Sequence, residues 1–206
     1  SPPMTTSAPA VPPETTAPAS LFVTVVSSDI VGFTDLSERL GRVTASSFLN
    51  SYYALWTYCA GSYGGRLITT AADTVLAIFG LVDPDKSPDR ALNAAFAFLR
   101  EFNELREDMA AQFQPADIHV SVGIHSGFVT AARIGPPGNQ KLDFYGDTIA
   151  VAARLDSLCR ELHQDLLVSH ATYRRLSLES QVSLERISEV LLRKTTRPMP
   201  LYARKP

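Results

Sequence analysis

Two aspartates frame the chemistry this sequence could perform. Asp29 closes a run of strand residues in "VVSSDIVGFT" (25–34), and Asp73 sits at the tight turn of a hairpin in "GGRLITTAADTVLAIFG" (64–80). Val23, Val25 and Val26 suit a buried strand, so Asp29 stands where that strand should stop. If the hairpin lies beside this strand, the two carboxylates converge, and convergent carboxylates repel unless a cation sits between them. Hard oxygen ligands favour Mg²⁺ or Mn²⁺, and Mg²⁺ binds through one or two carboxylates plus substrate phosphates. The turn through Gly32, Phe33 and Thr34 would offer backbone N–H groups to those phosphates. Together these features suggest a two-metal phosphoryl-transfer site. A plainer reading makes Asp29 a surface cap for a helix beginning near Asp35. Arg154, in "DFYGDTIAVAARLDSL" (143–158), falls four residues after Ala150 on one helix face. It could reach a nucleotide's phosphates, or simply pair with Asp147 or Glu161.

The elements that must carry these residues alternate along the chain. A strand is expected at 21–28, helical sequence from about 35 to 61, and two short strands with a turn near Ala71–Asp73. A long helix is expected from Pro88 to about Gln114, with Ala91, Leu92, Ala95, Phe96, Leu99 and Phe102 at helical spacing. "DIHVSVGIHSGFVTAARIG" reads as a long strand, followed by a Gly/Pro turn at 135–138, a strand "KLDFYG" and a helix from Asp147. "DLLVS" and "RPMPLYARK" read as further strands. Strands interspersed with helices in this order predict an α+β or α/β domain with one sheet. Residues 1–20 are rich in Pro, Thr and Ala, too poor in apolar surface to offset their ordering, and are expected to form a flexible tail ahead of one domain at 21–206.

With 206 residues, 45% of them hydrophobic, the chain can bury a substantial core. A net charge of −2 leaves no basic footprint for nucleic acid or an anionic membrane. No apolar run approaches the ~20 residues that span a bilayer, and no secretory signal pattern opens the sequence. Cys59 and Cys159 match no metal spacing and read as buried thiols in a reducing, cytoplasmic setting. His119 and His125 lack an acidic or cysteine partner at ligand spacing and read as strand histidines, not metal ligands. Tyr52 and Tyr53 read as helix packing, with a base-packing role as the alternative.

Four segments in order, "SDIVGFTDLSERLG", "GGRLITTAADTVLAIFG", "VSVGIHSGFVTAARIG" and "YGDTIAVAARLDSL", resemble the class III nucleotidyl cyclases, the adenylate and guanylate cyclase catalytic domains, over about Leu21 to Arg204. The resemblance implies a ferredoxin-like α+β fold with one mostly antiparallel sheet and a head-to-tail homodimer whose active sites lie at the subunit interface. It implies conversion of a nucleoside triphosphate to a 3′,5′-cyclic nucleotide and pyrophosphate, with two divalent cations, Mg²⁺ or Mn²⁺, per site. Asp29 and Asp73 match the family's metal aspartates, and Ile30 would supply a metal-bound backbone carbonyl. Gly32, Phe33 and Thr34 would cradle phosphates. Arg154 matches the arginine that stabilises the transition state from the partner subunit. Arg193 falls near a phosphate-binding lysine.

Two positions depart from the family pattern. The base-reading lysine is replaced by Thr69, opposite Asp143, and the ribose-orienting asparagine by Ala150. A hydroxyl donor and a carboxylate acceptor complement the edge of uracil. The pattern also resembles bacterial pyrimidine cyclases of anti-phage defence, which implies UTP as substrate and a separate effector that reads cyclic UMP. An adenylate cyclase with an unusual base pocket and an inactive cyclase-homology domain remain the competing expectations.

Overall fold

The computed structural model describes residues 17–109, 111 and 118–206. Its elements, in chain order, are β1 (Ala19–Val31), α1 (Phe33–Leu40), α2 (Arg42–Ser62), β2 (Arg66–Ala71), β3 (Thr74–Phe79), α3 (Ser87–Asp108), β4 (His119–Ile134), β5 (Lys141–Tyr145), α4 (Asp147–Glu161), β6 (Leu166–Ser169), α5 (His170–Tyr173), α6 (Leu178–Val182), β7 (Leu184–Val190) and β8 (Met199–Arg204). The strands form one sheet in the order β2-β3-β1-β4-β6-β8-β7, with β5 paired to β4 beyond the reach of β6. Of the described pairings only β4–β6 is parallel. The α+β architecture with one mostly antiparallel sheet is therefore the one expected.

β1 lies at the centre because its sequence allows burial on both faces: Val23 to Ser28 are all buried. Side chains alternate across a strand, so Val26 and Ile30 pack under α2 and α3, while Val23 and Val25 belong to a second cluster with Ala152 of α4. α2 buries Phe48, Tyr52, Trp56 and Cys59 at helical spacing. The Trp56 ring stacks on Phe98 of α3 at 3.9 Å between centroids. Each such buried aromatic contributes about 1.5–3 kcal/mol relative to exposure. The opposite face is thinner. There α4 lies directly on β4 at Gly123, where an added Cβ would meet the Ala152 carbonyl and stand 2.5 Å from the Asp156 nitrogen.

Several boundaries differ from expectation. The stretch 35–61 is two helices, broken at Gly41, whose φ of 78° a helix cannot continue through. α3 ends at Asp108, with the Met109 N–H donating to the Leu105 carbonyl; residues 112–114 of the longer expected helix lie outside the described ones. Within that helix Phe98 and Phe102 are the core aromatics and Phe96 is only partly buried. β1 starts at Ala19, inside the expected tail; of that tail, residues 1–16 lie outside the described ones. The strand β7, with Glu185, Arg186 and Glu189, is a charged edge strand and showed no apolar alternation to read. Cys59 and Cys159 are free, buried and in separate clusters.

Candidate metal and nucleotide site

Asp29 lies two residues before the end of β1, in step with Val23, Val25 and Ser27 on the α4 face, and it is half-buried there. It does not cap the following helix. α1 begins at Phe33 behind Gly32, whose φ of 71° and ψ of 24° turn the chain and which makes no side-chain cap. The first-turn N–H groups of Phe33, Thr34 and Asp35 have no intrahelical acceptor. Asp29 Oδ1 instead accepts from Thr74 Oγ1 at 2.6 Å, which ties β1 to the start of β3. β1 and β3 pair from Thr24↔Phe79 to Ser28↔Val75, and this register brings the β2–β3 turn, with Asp73, beside Asp29.

The proximity of the two carboxylates has an electrostatic signature. Burial, and then the charge of Asp29, raise the Asp73 carboxyl, while hydrogen bonds from the backbone N–H groups of Asp73 and Ile30 pull it back. Ile30, 1% exposed, thus faces Asp73 with its N–H. Two half-buried carboxylates with a backbone carbonyl beside them are the donor set a Mg²⁺ or Mn²⁺ ion takes when substrate phosphates complete its shell. Among the described residues no group of three or more His, Cys, Asp or Glu forms a cage that could hold a metal by itself. The residues fit ions shared with a substrate.

A third carboxylate, missed in the sequence, lies behind the pair. Asp156 of α4 is 2% exposed; Ser27 Oγ donates to its Oδ2 at 3.1 Å and Ser121 Oγ to its Oδ1. Burial first, and then the adjoining Asp29, push its carboxyl up to about 8. A protonated Asp156 can sit against Asp29 without adding a second buried charge. Its only signal in the sequence was an acidic residue on the apolar face of α4, in step with Ala152 and Cys159.

Arg154, two residues before Asp156, points the other way. It is exposed, as is Ala150 one turn earlier, and among the described residues it pairs with neither Asp147 nor Glu161. Thr69 is half-exposed on β2. Asp143 is exposed on β5, where its Oδ1 accepts from the Phe144 N–H at 2.8 Å. The two strands approach across the α4 face, with the Arg66 guanidinium 5.9 Å from the centre of the Phe144 ring. No hydrogen bond joins Thr69 to Asp143 among the described residues. Arg193 is exposed in the connection between β7 and β8. Within one chain, then, the structure gathers Asp29, Ile30, Asp73 and the start of α1, and leaves Arg154 and Arg193 facing outward.

Tyr52 is core: fully buried, edge-on to Phe98, with its hydroxyl donating to Ser28 Oγ at 2.8 Å. The hydroxyl of Tyr53 donates to the Ala72 carbonyl. His125 Nδ1 is 2.7 Å from Ser169 Oγ. A cleft of about 980 Å³ between the end of α4 and the start of β4, lined by His119, Arg160, His163 and Lys205 among others, includes none of the predicted site residues.

These features belong to one family. Residues 16–203 match the adenylate and guanylate cyclase catalytic domain, and the chain is a member of it. Among curated proteins it is similar to an adenylate cyclase of Anabaena cylindrica, 28% identical over 179 residues that cover 85% of this chain and 35% of that protein. Adenylate cyclase 2 of Rhizobium meliloti is 28% identical, over 78% of this chain and 44% of its own length. The chain thus spans less than half the length of these relatives. The crystal structure of the adenylyl cyclase CyaB from P. aeruginosa superposes with a TM-score of 0.79 at 25% identity, covering 92% of this chain and 96% of that one. A bacterial light-regulated adenylyl cyclase shares the fold, with a TM-score of 0.80 at 22% identity over 91% of this chain and 52% of that one. Among the described residues no helix is long and apolar enough to cross a membrane.

Proposed function

We propose that this domain converts a nucleoside triphosphate to a 3′,5′-cyclic nucleotide and pyrophosphate, using two divalent cations held by Asp29, Asp73 and the Ile30 carbonyl. The observation that carries the reading is the pairing of Asp29 with Asp73 at the end of the central strand, where burial first and then the charge of Asp29 raise the Asp73 carboxyl. When bound, the cations would activate the ribose 3′-hydroxyl and neutralise the triphosphate. The chain's own contributions follow from position. Thr74 fixes the rotamer of Asp29. The N–H groups after Gly32, at Phe33 and Thr34, orient phosphate oxygens as helix N-termini do. Arg154, exposed on α4, would stabilise charge on the α-phosphoryl group from the partner subunit, with Arg193 holding phosphates. A homodimer would complete the site. The partly exposed apolar residues Ile68, Leu76 and Leu142 of the sheet, with Ile149 of α4, speak for such an interface.

The finer reading takes UTP as substrate and cyclic UMP as product, a second messenger for a separate effector in anti-phage defence. It rests on Thr69 and Asp143 as a donor–acceptor pair for a uracil edge. The relatives' names favour a second reading, adenylate cyclase with an atypical pocket. Purified protein incubated with Mn²⁺ and each of ATP, GTP, CTP and UTP, with products identified by mass and Asp73→Ala as control, decides. Cyclic UMP from UTP alone supports the first reading. Faster turnover of ATP than of UTP ends it, and absence of any product from an intact dimer leaves an inactive homology domain.

A further inference from the structure

The two tyrosines at the middle of α2 each reach the residue that precedes a metal-binding candidate. Tyr52 donates to Ser28, just before Asp29, and Tyr53 donates to the Ala72 carbonyl, just before Asp73. Tyr52 is fixed: it is fully buried and packs against Phe98 and Phe102. Tyr53 lies beside it, 5.9 Å between ring centroids, and is partly exposed.

The turn that Tyr53 touches is under local strain. Ala71 pairs with Thr74, so Ala72 and Asp73 form a two-residue hairpin loop. Such loops need positive φ, which glycine or asparagine supplies readily. Here the residue is alanine, at a φ of 50°, a region where a Cβ crowds the following carbonyl oxygen. Ala71 and Ala72 are both exposed and have no side chain long enough to anchor the turn. β1 holds the flanks of the turn, through the Ile30 N–H on Asp73 and Thr74 on Asp29, and the Ala72 carbonyl is held from α2 by the Tyr53 hydroxyl.

We infer that Tyr53 is a positioning residue for Asp73: its hydroxyl holds the β2–β3 turn in a backbone shape that Ala72 disfavours, so that α2 sets the separation between Asp29 and Asp73. This inference rests on the reading of those two aspartates as the metal site. Tyr53 touches neither metal nor substrate in this role. Without its hydroxyl the turn relaxes, and Asp73 is in place for only part of the time.

The test uses Tyr53→Phe, which keeps the ring and removes the donor, in the full chain. Two quantities are read: Mn²⁺ binding, from loss of the free-ion paramagnetic resonance signal, and the Mn²⁺ concentration that half-saturates cyclisation. One net hydrogen bond corresponds to roughly three- to tenfold. We expect Mn²⁺ affinity to fall by about that factor, the half-saturating concentration to rise to match, and kcat at saturating Mn²⁺ to stay within about twofold. In an Ala72→Gly background, where the turn carries no Cβ penalty, Tyr53→Phe should have little effect on either quantity. Three results would overturn the inference: unchanged Mn²⁺ dependence in Tyr53→Phe while Asp73→Ala loses the ion, a kcat loss that no Mn²⁺ concentration restores, or an affinity loss equally large in the Ala72→Gly background. If Asp73→Ala itself retains full Mn²⁺ binding, the metal reading fails first and takes this inference with it.

Discussion

Gly123→Ala should separate α4 from the sheet. An alanine Cβ there would stand 2.5 Å from the Asp156 nitrogen and 2.9 Å from Leu155 Cβ, and would press on the Ala152 carbonyl. Ordinary contacts between such atoms begin near 3.4 Å, so α4 must retreat by about 1 Å along one turn. The obstacle is helix backbone, which cannot swing aside as a long side chain can. Overpacking of this kind costs about 1–3 kcal/mol, and we expect the upper end because Ala152, Leu155 and Cys159 lose contact together. In a chain of this size ~3 kcal/mol lowers the melting temperature by roughly 6–12 °C. The same shift displaces Arg154 and Asp156, and a 1 Å misplacement in a reacting constellation can cost on the order of 10²-fold in rate. Urea unfolding and initial cyclisation rates read the two effects separately. Gly61→Ala is the control, since a Cβ there meets nothing within 4 Å and the site is in a helix. Gly123→Ala with stability within about 0.5 kcal/mol of the parent would refute the close packing on which the placement of α4 is argued.

Other outcomes follow from single features. Burial, countered by Asp147 and reinforced by Arg175, lowers His125 from 6.5 to about 4. The unfolded chain therefore binds the proton more readily, and stability should fall as pH drops from about 6.5 to 4; after discounting for partial exposure, on the order of 2 kcal/mol of that loss should vanish in His125→Gln, measured by denaturant unfolding at each pH. Trp56→Ala removes the ring stacked on Phe98 and should cost about 3–5 kcal/mol by the same assay. Mixing inactive Asp73→Ala with inactive Arg154→Ala should restore about a quarter of the parent activity, because half the dimers are mixed and each mixed dimer holds one intact site; no recovery on mixing would place Arg154 outside a shared site.

The legible parts of this chain were those in which a local pattern and its tertiary role agree. Val23–Val26 announced a buried strand, and Ala91, Leu92, Ala95, Leu99 and Phe102 a helix face, because burial itself imposes those spacings. β7 was illegible for the opposite reason: as an edge strand it needs charges, and its Glu185, Arg186 and Glu189 resemble a loop. The break at Gly41 was hidden because one glycine is tolerated in many helices, and only its φ of 78° marks the corner. Asp29 and Asp73 were legible by position, at a strand end and a hairpin turn. Asp156 and Tyr53 were not, since their partners lie far away in sequence, on Ser27, Ser121 and Ala72.

α4 explains why the site divides as it does. A helix laid on a sheet buries one face, so residues two apart point in nearly opposite directions. Asp156 therefore turns in to meet Ser27 and Asp29, and Arg154 turns out to solvent. No rotation of α4 brings both to the Asp29–Asp73 pair at once, because Gly123 locks the helix at contact distance and Leu155 fills the space between. On the proposed reading, an arginine that acts on a substrate held at those carboxylates would come from another copy of this helix. The partly exposed apolar residues around its first turn, Ile149 with Leu142 and Ile68, offer the surface on which that copy would sit. The proposed dimer would thus follow from how tightly α4 packs within one chain.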